Sequence, residues 1–168
     1  MVIRTATRKD DDAIWEILEP VVRAGETYTL PREMTCKDAL AYWYSPGHEV
    51  FVAEDVAEDV AEDKGAILGT YYLRANQRGG GGHVANCGYM TAQQAAGRGV
   101  ARAMCLHSLD VARQRGFRAM QFNFVVSTNE PAVHLWTSLG FATVGRLPGA
   151  FLHSTLGYVD ALVMYRAL

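Results

Sequence analysis

The sequence is poor in several features that mark common protein classes. It has only three cysteines in 168 residues, scattered and without metal-ligand spacing, so no metal site is expected and a reducing, cytoplasmic location is favoured. No apolar run approaches the roughly 20 residues that a membrane-spanning helix needs, and no signal peptide is visible. The formal net charge is −2, without a basic stripe. Neither a membrane nor nucleic acid is therefore expected as a partner.

The rest of the composition is that of a globular protein with a full core. Apolar residues make up 49% and charged residues 20%, and the length favours a single domain over residues 1–168. Periodicity predicts a mixed α/β sheet of about seven strands with four helices. A strand–helix–strand crossover makes 83–91 and 118–126 parallel neighbours. Strands are predicted at 2–5, 48–53, 65–74, 83–91, 118–126, 141–147 and 158–167.

The stretch from Met90 to Met104 has the pattern of a strand, a loop of small residues and a helix. Free N–H groups at the start of that helix, together with the helix dipole, favour a phosphate. We therefore expect an anion site at 96–101. A plain tight turn is the alternative, because two glycines alone are weak evidence. No Gly-Lys-Ser/Thr follows as in a P-loop, and the next strand carries no carboxylate of the kind that closes a dinucleotide site.

A second unusual stretch is a tandem repeat. Val-Ala-Glu-Asp occurs three times between Val52 and Asp63. We interpret it as an acidic hairpin connection on the surface.

Two motifs together resemble the GCN5-related N-acetyltransferase (GNAT) family. Residues 96–101, Ala-Gly-Arg-Gly-Val-Ala, are similar to the family's Gln/Arg-x-x-Gly-x-Gly/Ala loop. Residues 129–141, Asn-Glu-Pro-Ala-Val-His-Leu-Trp-Thr-Ser-Leu-Gly-Phe, are similar to its Asn-x-x-Ala-x-x-Leu-Tyr-x-x-x-Gly-Phe motif. The resemblance implies a GNAT-like fold whose central strands splay around acetyl-coenzyme A (acetyl-CoA), with a homodimer as a common assembly.

The resemblance also implies which residues hold the cofactor. The pyrophosphate would lie on backbone amides of the loop, and the pantetheine arm would bond to β-strand backbone like an added strand. Ala96 stands where the family has Gln or Arg; an earlier register would place Gln94 there. The implied cofactor-binding residues are Thr91, Ala96, Gly97, Arg98, Gly99, Val100, Ala101, Arg102, Asn129 and Trp136.

A narrower resemblance is to fungal L-azetidine-2-carboxylate (proline-analogue) acetyltransferases. It rests on Asn86, Asn123 and Asn129, with segments such as Phe-Asn-Phe at 122–124 and Gly-Arg-Leu-Pro at 145–148. It implies that Asn86 and Asn123 lie at the reacting centre and that Asn123 also binds substrate. Further candidates for the substrate pocket are Glu26, Tyr28 and His153, the last in a predicted 148–153 loop that closes the site.

The chemistry of N-acetylation sharpens the expectation for these asparagines. A base must free the amine lone pair, yet the predicted strand 83–91 has no glutamate, and Trp136 stands where many family members place a tyrosine acid. Cys87 as an acyl-carrying nucleophile is a weaker alternative. We therefore expect an acetyl-CoA-dependent N-acetyltransferase of a small amine, with an amino acid or cyclic imino acid as substrate. Asparagine amides are expected to act at the site in place of the family's usual acid–base residues. A xenobiotic amine, a protein N-terminus, a non-catalytic acyl-CoA sensor and a nucleotide-binding domain are the alternatives.

Overall fold

A computed structural model describes residues 1–56 and 65–168. Part of the acidic repeat, residues 57–64, lies outside the described residues, so our interpretation of it stays a prediction. The chain forms one seven-stranded mixed sheet, ordered β1-β2-β3-β4-β5-β7-β6, with four α-helices. The elements are β1 Val2–Thr5, α1 Asp11–Ala24, α2 Cys36–Trp43, β2 Glu49–Glu54, β3 Ile67–Ala75, β4 Val84–Thr91, α3 Val100–Gln114, β5 Ala119–Val126, α4 Glu130–Ser138, β6 Ala142–His153 and β7 Gly157–Ala167.

Helices cover both faces of this sheet. On one face the Trp43 indole of α2 donates to Thr70 Oγ1 of β3 at 3.0 Å. On the other face the Tyr71 hydroxyl lies 2.7 Å from Nδ1 of His107 in α3. Because side chains alternate along a strand, even-numbered residues of β3 face α1 and α2, and odd-numbered residues face α3.

The central strands β4 and β5 begin as parallel neighbours and then separate. They pair only at Val84 with Ala119 and at Ala85 with Met120. At the next position a side chain bridges the two strands in place of backbone pairing, because Asn86 Nδ2 donates to the Gln121 carbonyl at 2.9 Å. Beyond that point the register of β5 on β7 shifts between Phe122 and Val125. The predicted splay is confirmed, and we call the opening between β4 and β5 the fork.

The C-terminal hairpin differs from its prediction. A loop was expected at 148–153, but β6 continues through His153 and pairs with β7 as far as Gly157. A bulge between Leu147 and Phe151 absorbs the intervening residues. Asp160 holds this bulge, because its carboxylate accepts from the Gly149 amide at 2.9 Å and from Arg146 at 2.7 Å. The prediction was wrong because it read Pro148 as the end of a strand.

Within the described residues, no helix combines the length and the apolar character that crossing a bilayer requires.

Candidate active site

The fork opens into a cavity of about 430 Å³. Its walls combine β3, β4 and β5 with the α1–α2 connection, α2 and α4. The lining includes Tyr28, Tyr42, Tyr72, Arg74, Asn86, Cys87, Gly88, Tyr89, Thr91, Phe122, Asn123, Phe124, Asn129 and Trp136. The structure therefore brings six of the sequence-predicted site residues to one cavity, namely Asn86, Asn123, Tyr28, Thr91, Asn129 and Trp136.

The wall on the α1/α2 face carries polar side chains. Asn86 of β4 is 6% exposed, and its Oδ1 accepts from Arg74 Nε at 3.2 Å. Asn123 of β5 accepts from Gln121 Nε2 at 2.8 Å and donates to Asn76 Oδ1 at 2.6 Å. The alternation predicted for these two asparagines holds, since both line the cavity from adjacent strands. Asn86 uses its bonds to hold the fork and Arg74, whereas Asn123 bonds the side chains of Gln121 and Asn76; each amide keeps a second N–H.

Arg74 is a site residue that the sequence reasoning missed. It lies at the end of β3, lines the cavity and is half-buried. Among the described residues, no carboxylate lies within 4.0 Å of its guanidinium. A guanidinium is always charged, so Arg74 brings an unneutralised positive charge to this wall. The sequence held one signal for Arg74: it follows Tyr72 by two residues, so both side chains lie on the same face of β3.

Tyr28 closes the same wall from the α1–α2 connection. Its hydroxyl donates to the Tyr89 carbonyl at 2.9 Å, and burial raises its pKa well above the ordinary range. Tyr28 therefore stays neutral and acts as a donor.

Two predicted pocket residues lie elsewhere. Glu26 is exposed and is not part of the cavity lining. His153 also lies outside the lining, where its Nδ1 accepts from the Thr155 amide at 3.2 Å. The extension of β6 moves His153 away, because a hairpin tip replaces the expected closing loop. That tip still touches the pocket's border, since the Ser154 amide donates to the Gly25 carbonyl at 3.2 Å.

The wall on the α3/α4 face is apolar. Trp136 of α4 packs against Tyr89 and Phe122, with ring centroids 5.1 Å apart in both pairs. Cys87 faces this side, and burial raises the pKa of its thiol to about 12. A thiol that stays protonated is a poor nucleophile, which argues against the acyl-carrying alternative.

The unpaired edge of β4 offers backbone groups to the fork. Even-numbered residues of β4 direct their backbone groups to β3, since the Asn76 amide donates to the Val84 carbonyl and the Ala92 amide to the Leu68 carbonyl. Odd-numbered residues therefore direct theirs into the fork. These include Thr91, as predicted, and Tyr89.

The loop at 96–99 is exposed and leads directly into α3. Gly97 and Gly99 have φ values of +76° and +77°, which other residues rarely adopt, and ideal Cβ atoms there would meet nothing within 4 Å. The first intrahelical bond runs from the Ala103 amide to the Gly99 carbonyl. The N–H groups of Val100, Ala101 and Arg102 thus lack intrahelical partners, which suits an anion.

The two arginines of this region are placed differently. Arg98 Nη2 contacts Asp55 Oδ2 at 2.7 Å. The charge of Arg98 is therefore partly neutralised by a carboxylate just after the end of β2. Arg102 lies on the exposed first turn of α3, with Nη1 3.4 Å from Ser138 Oγ. Asn129 caps α4, accepting from the Ala132 amide at 3.4 Å, and so is tied to the helix while lining the cavity.

Comparison with known proteins agrees with this geometry. A sequence model of the acetyltransferase (GNAT) family matches residues 14–141. The structure of a GCN5-related N-acetyltransferase from Kribbella flavida is similar with a TM-score of 0.90 and 43% identity, covering 99% of this chain and 97% of that one. N-acetyltransferase aca1 of Schizosaccharomyces pombe is 28% identical over 151 residues, which is 84% of this chain and 72% of that protein.

A third relative was solved with its cofactor. The acetyltransferase yncA from Salmonella typhimurium, in complex with acetyl-CoA, has a TM-score of 0.83 and 23% identity, covering 100% of this chain and 94% of that one. At that identity the likeness concerns the fold. With the family match over most of the chain, the conclusion is plain: this protein belongs to the GNAT family of N-acetyltransferases, enzymes that take their acyl group from acetyl-CoA.

Proposed function

We propose that this enzyme acetylates the amine of a small amino acid or cyclic imino acid. The observation that carries the substrate class is Arg74, a charged guanidinium in the cavity without a carboxylate partner among the described residues. Arginine matches a carboxylate in a two-pronged geometry. A substrate carboxylate would therefore neutralise Arg74 and leave the amine free to face the fork.

The residues present fit acetyl-CoA. The amides of residues 99–102 would hold the pyrophosphate, and the Tyr89 N–H and the backbone groups of Thr91 would hold the pantetheine arm. Trp136 and Phe122 would form the apolar wall beside that arm. When bound, the cofactor supplies an activated acetyl group.

The polar wall then orients the substrate. Asn123 would bind the amino acid through the N–H that it does not spend on Asn76. Asn86 would act mainly by holding β4 and β5 at the start of the fork and by bonding Arg74. The role of Asn123 is the one that the resemblance to proline-analogue acetyltransferases implies, whereas Asn86 takes a positioning role in place of the implied one at the reacting centre.

A xenobiotic amine or a protein N-terminus is the less supported alternative. The contact between Ser154 and Gly25 draws the β6–β7 tip against the α1–α2 connection, which narrows the mouth of the cavity for a peptide. A compact amine that also carries an anionic group would compete with an amino acid for Arg74.

The test compares an imino acid with the amine that lacks its carboxylate. We expect release of free thiol from acetyl-CoA with L-proline or azetidine-2-carboxylate, and much less with pyrrolidine. Arg74→Gln should lower kcat/KM for the imino acid by about 10- to 100-fold, since a charge-assisted hydrogen bond contributes about 1.5–3 kcal/mol. It should leave pyrrolidine turnover unchanged.

The matched control is Arg78→Gln, an exposed arginine in the loop after β3, which should behave as wild type. If Arg74→Gln lowers turnover of both amines equally, the carboxylate role is wrong. If wild-type protein releases no thiol with any amino or imino acid, the substrate class is wrong.

We also propose that residues 1–168 act as one domain and that the chain forms a homodimer. One sheet takes strands from both ends of the described chain, β1 and β7. For the dimer, β6 is an edge strand, and its hairpin with β7 exposes Val144, Leu147, Leu152, Leu156 and Tyr158. Two copies could cover such an apolar patch symmetrically; sedimentation velocity, with Leu152→Lys as the disrupting variant, tests this. The cytoplasmic location stays a prediction.

A further inference from the structure

Tyr72 lies against β4 so closely that its neighbour must be glycine. Tyr72 of β3 pairs with Gly88 of β4. A Cβ atom at position 88 would lie 2.6 Å from the Tyr72 ring and 2.8 Å from its hydroxyl oxygen. Gly88 has no positive φ, so close approach rather than backbone conformation requires glycine there. The absence of a side chain at 88 lets the Tyr72 ring lie over β4, where Tyr72 lines the cavity.

Aromatic neighbours hold this phenol in place. The His48 ring stacks on it with centroids 4.2 Å apart, and Trp43 meets it edge-on at 4.9 Å. The Tyr72 hydroxyl lies 3.3 Å from the Tyr42 hydroxyl. Tyr72 is 5% exposed, whereas Tyr42 on α2 is half-buried. The two hydroxyls thus form a short chain from the centre of the cavity toward its outer side.

Acyl transfer to an ammonium requires a path for a proton. Among the residues that the structure describes, those that line the cavity include no carboxylate and no imidazole. Arg74 cannot accept a proton, because a guanidinium stays protonated. The Tyr28 proton is engaged with the Tyr89 carbonyl. Cys87 faces the other wall, and asparagine amides are not bases. The lining also includes the hydroxyls of Thr27, Thr29, Tyr89 and Thr91. Tyr72 and Tyr42 stand out because their hydroxyl oxygens lie 3.3 Å from each other, so that a proton can pass between them.

We propose that Tyr72 is a catalytic residue that takes the proton from the substrate amine and passes its own to Tyr42. This proposal rests on the proposed function. As the ammonium proton moves to Tyr72 Oη, the Tyr72 proton moves to Tyr42 Oη, and the Tyr42 proton moves to water. The freed lone pair forms the C–N bond while the C–S bond breaks. The second amine proton ends on the departing sulfur, so the net release to water is one proton.

The raised pKa of Tyr72 agrees with a proton relay rather than with a base that is already ionised before the substrate binds. Burial raises the pKa of Tyr72 well above the ordinary range of a phenol, so Tyr72 is neutral at physiological pH. A neutral hydroxyl can pass a proton only if it gives up its own at the same time. The partner for that transfer is the Tyr42 hydroxyl.

The test uses Tyr72→Phe, which keeps the ring, with Tyr71→Phe as matched control. Tyr71 is the adjacent tyrosine, but its hydroxyl bonds His107 on the α3 face. With L-proline as acceptor, Tyr72→Phe should lower kcat by about 100-fold at about pH 7. The loss should shrink as the pH rises toward the pKa of the free imino acid's ammonium group, because a growing fraction of the amine is then neutral before it binds. Tyr42→Phe should show the same trend with a smaller loss.

The pH dependence separates the relay from a packing role. A packing role would lower activity by the same factor at every pH, and that result would overturn the proposal, as would full activity of Tyr72→Phe. Tyr71→Phe should show no pH-dependent loss, and circular dichroism should show all variants folded. Failure of the proposed function would look different, because wild-type protein would then turn over no amino or imino acid.

Discussion

The two walls of the fork are built from different kinds of chemical group. The wall toward α3 and α4, with the loop before α3, offers backbone N–H and carbonyl groups beside apolar rings. The wall toward α1 and α2 offers side chains, namely Arg74, Asn86, Asn123 and Tyr72. A backbone site depends on chain conformation and tolerates changes of side chain. A side-chain site depends on the residue itself, so we propose that this wall determines which acceptor is used.

We expect the largest effect, on the affinity for acetyl-CoA, from a substitution in the loop before α3, which belongs to the wall that offers backbone groups. Gly99→Asp forces a side chain into a φ of +77°, which costs about 1–3 kcal/mol, and adds a carboxylate where a phosphate is expected. We predict that the Kd for acetyl-CoA rises by about 100-fold or more, measured by isothermal titration calorimetry.

Ala96→Ser and Gly99→Ala make the comparison quantitative. Ala96 is exposed, so its serine variant should change the Kd by less than about 3-fold, because backbone amides supply the contacts. Gly99→Ala introduces the backbone strain but no charge, so its Kd for acetyl-CoA should lie between those of Ala96→Ser and Gly99→Asp. Equal effects of Ala96→Ser and Gly99→Asp would show that side chains, not backbone, hold the cofactor.

A smaller effect distinguishes a residue that holds β4 and β5 together, Asn86, from one that we propose binds substrate, Asn123. Asn86→Ala leaves the Gln121 carbonyl and Arg74 without their partner, so the free energy of unfolding should fall by about 1–3 kcal/mol. Asn123→Ala changes a half-buried position. Compared with Asn86→Ala, it should lower the free energy of unfolding less and kcat/KM more. Urea unfolding and steady-state kinetics on both variants measure the two quantities. The distinction is wrong if Asn86→Ala is as stable as wild type.

The smallest effect concerns Cys87. With a thiol pKa of about 12, the reactive thiolate forms only as the pH rises toward that value, so Cys87 should stay unmodified by iodoacetamide at about pH 8. Mass spectrometry should find half-buried Cys36 alkylated first. Cys87→Ser should keep kcat within about 3-fold of wild type. An acetylated Cys87 trapped during turnover would contradict this.

The sequence predicted the fold well because its signals are local. The strand–helix–strand crossover and the loop of small residues before α3 depend on residues near one another in the chain. The end of β6 was wrong for a non-local reason, since Asp160 on the partner strand stabilises the bulge at Gly149. The same limit explains His153, whose position follows from how far β6 extends.

The candidate site divides in the same way. The glycine loop, Asn86, Asn123 and Asn129 were found from sequence because motifs and strand alternation place them. Arg74 and Tyr72 were missed, because their importance depends on what faces them across the sheet. An arginine at a strand end is ordinary in a sequence. Arg74 became notable only when the described part of the chain placed it in the cavity without a carboxylate partner.

By itself, the sequence determined the order of strands and helices along the chain and the glycine loop before α3, since local backbone conformation follows from local residues. Only the tertiary structure decided the acceptor wall. There, Asn86 bridges to Gln121, Arg74 meets Asn86, and Gly88 makes room for Tyr72. Each of these contacts joins residues from different strands, and their distances are set by the packing of the whole sheet.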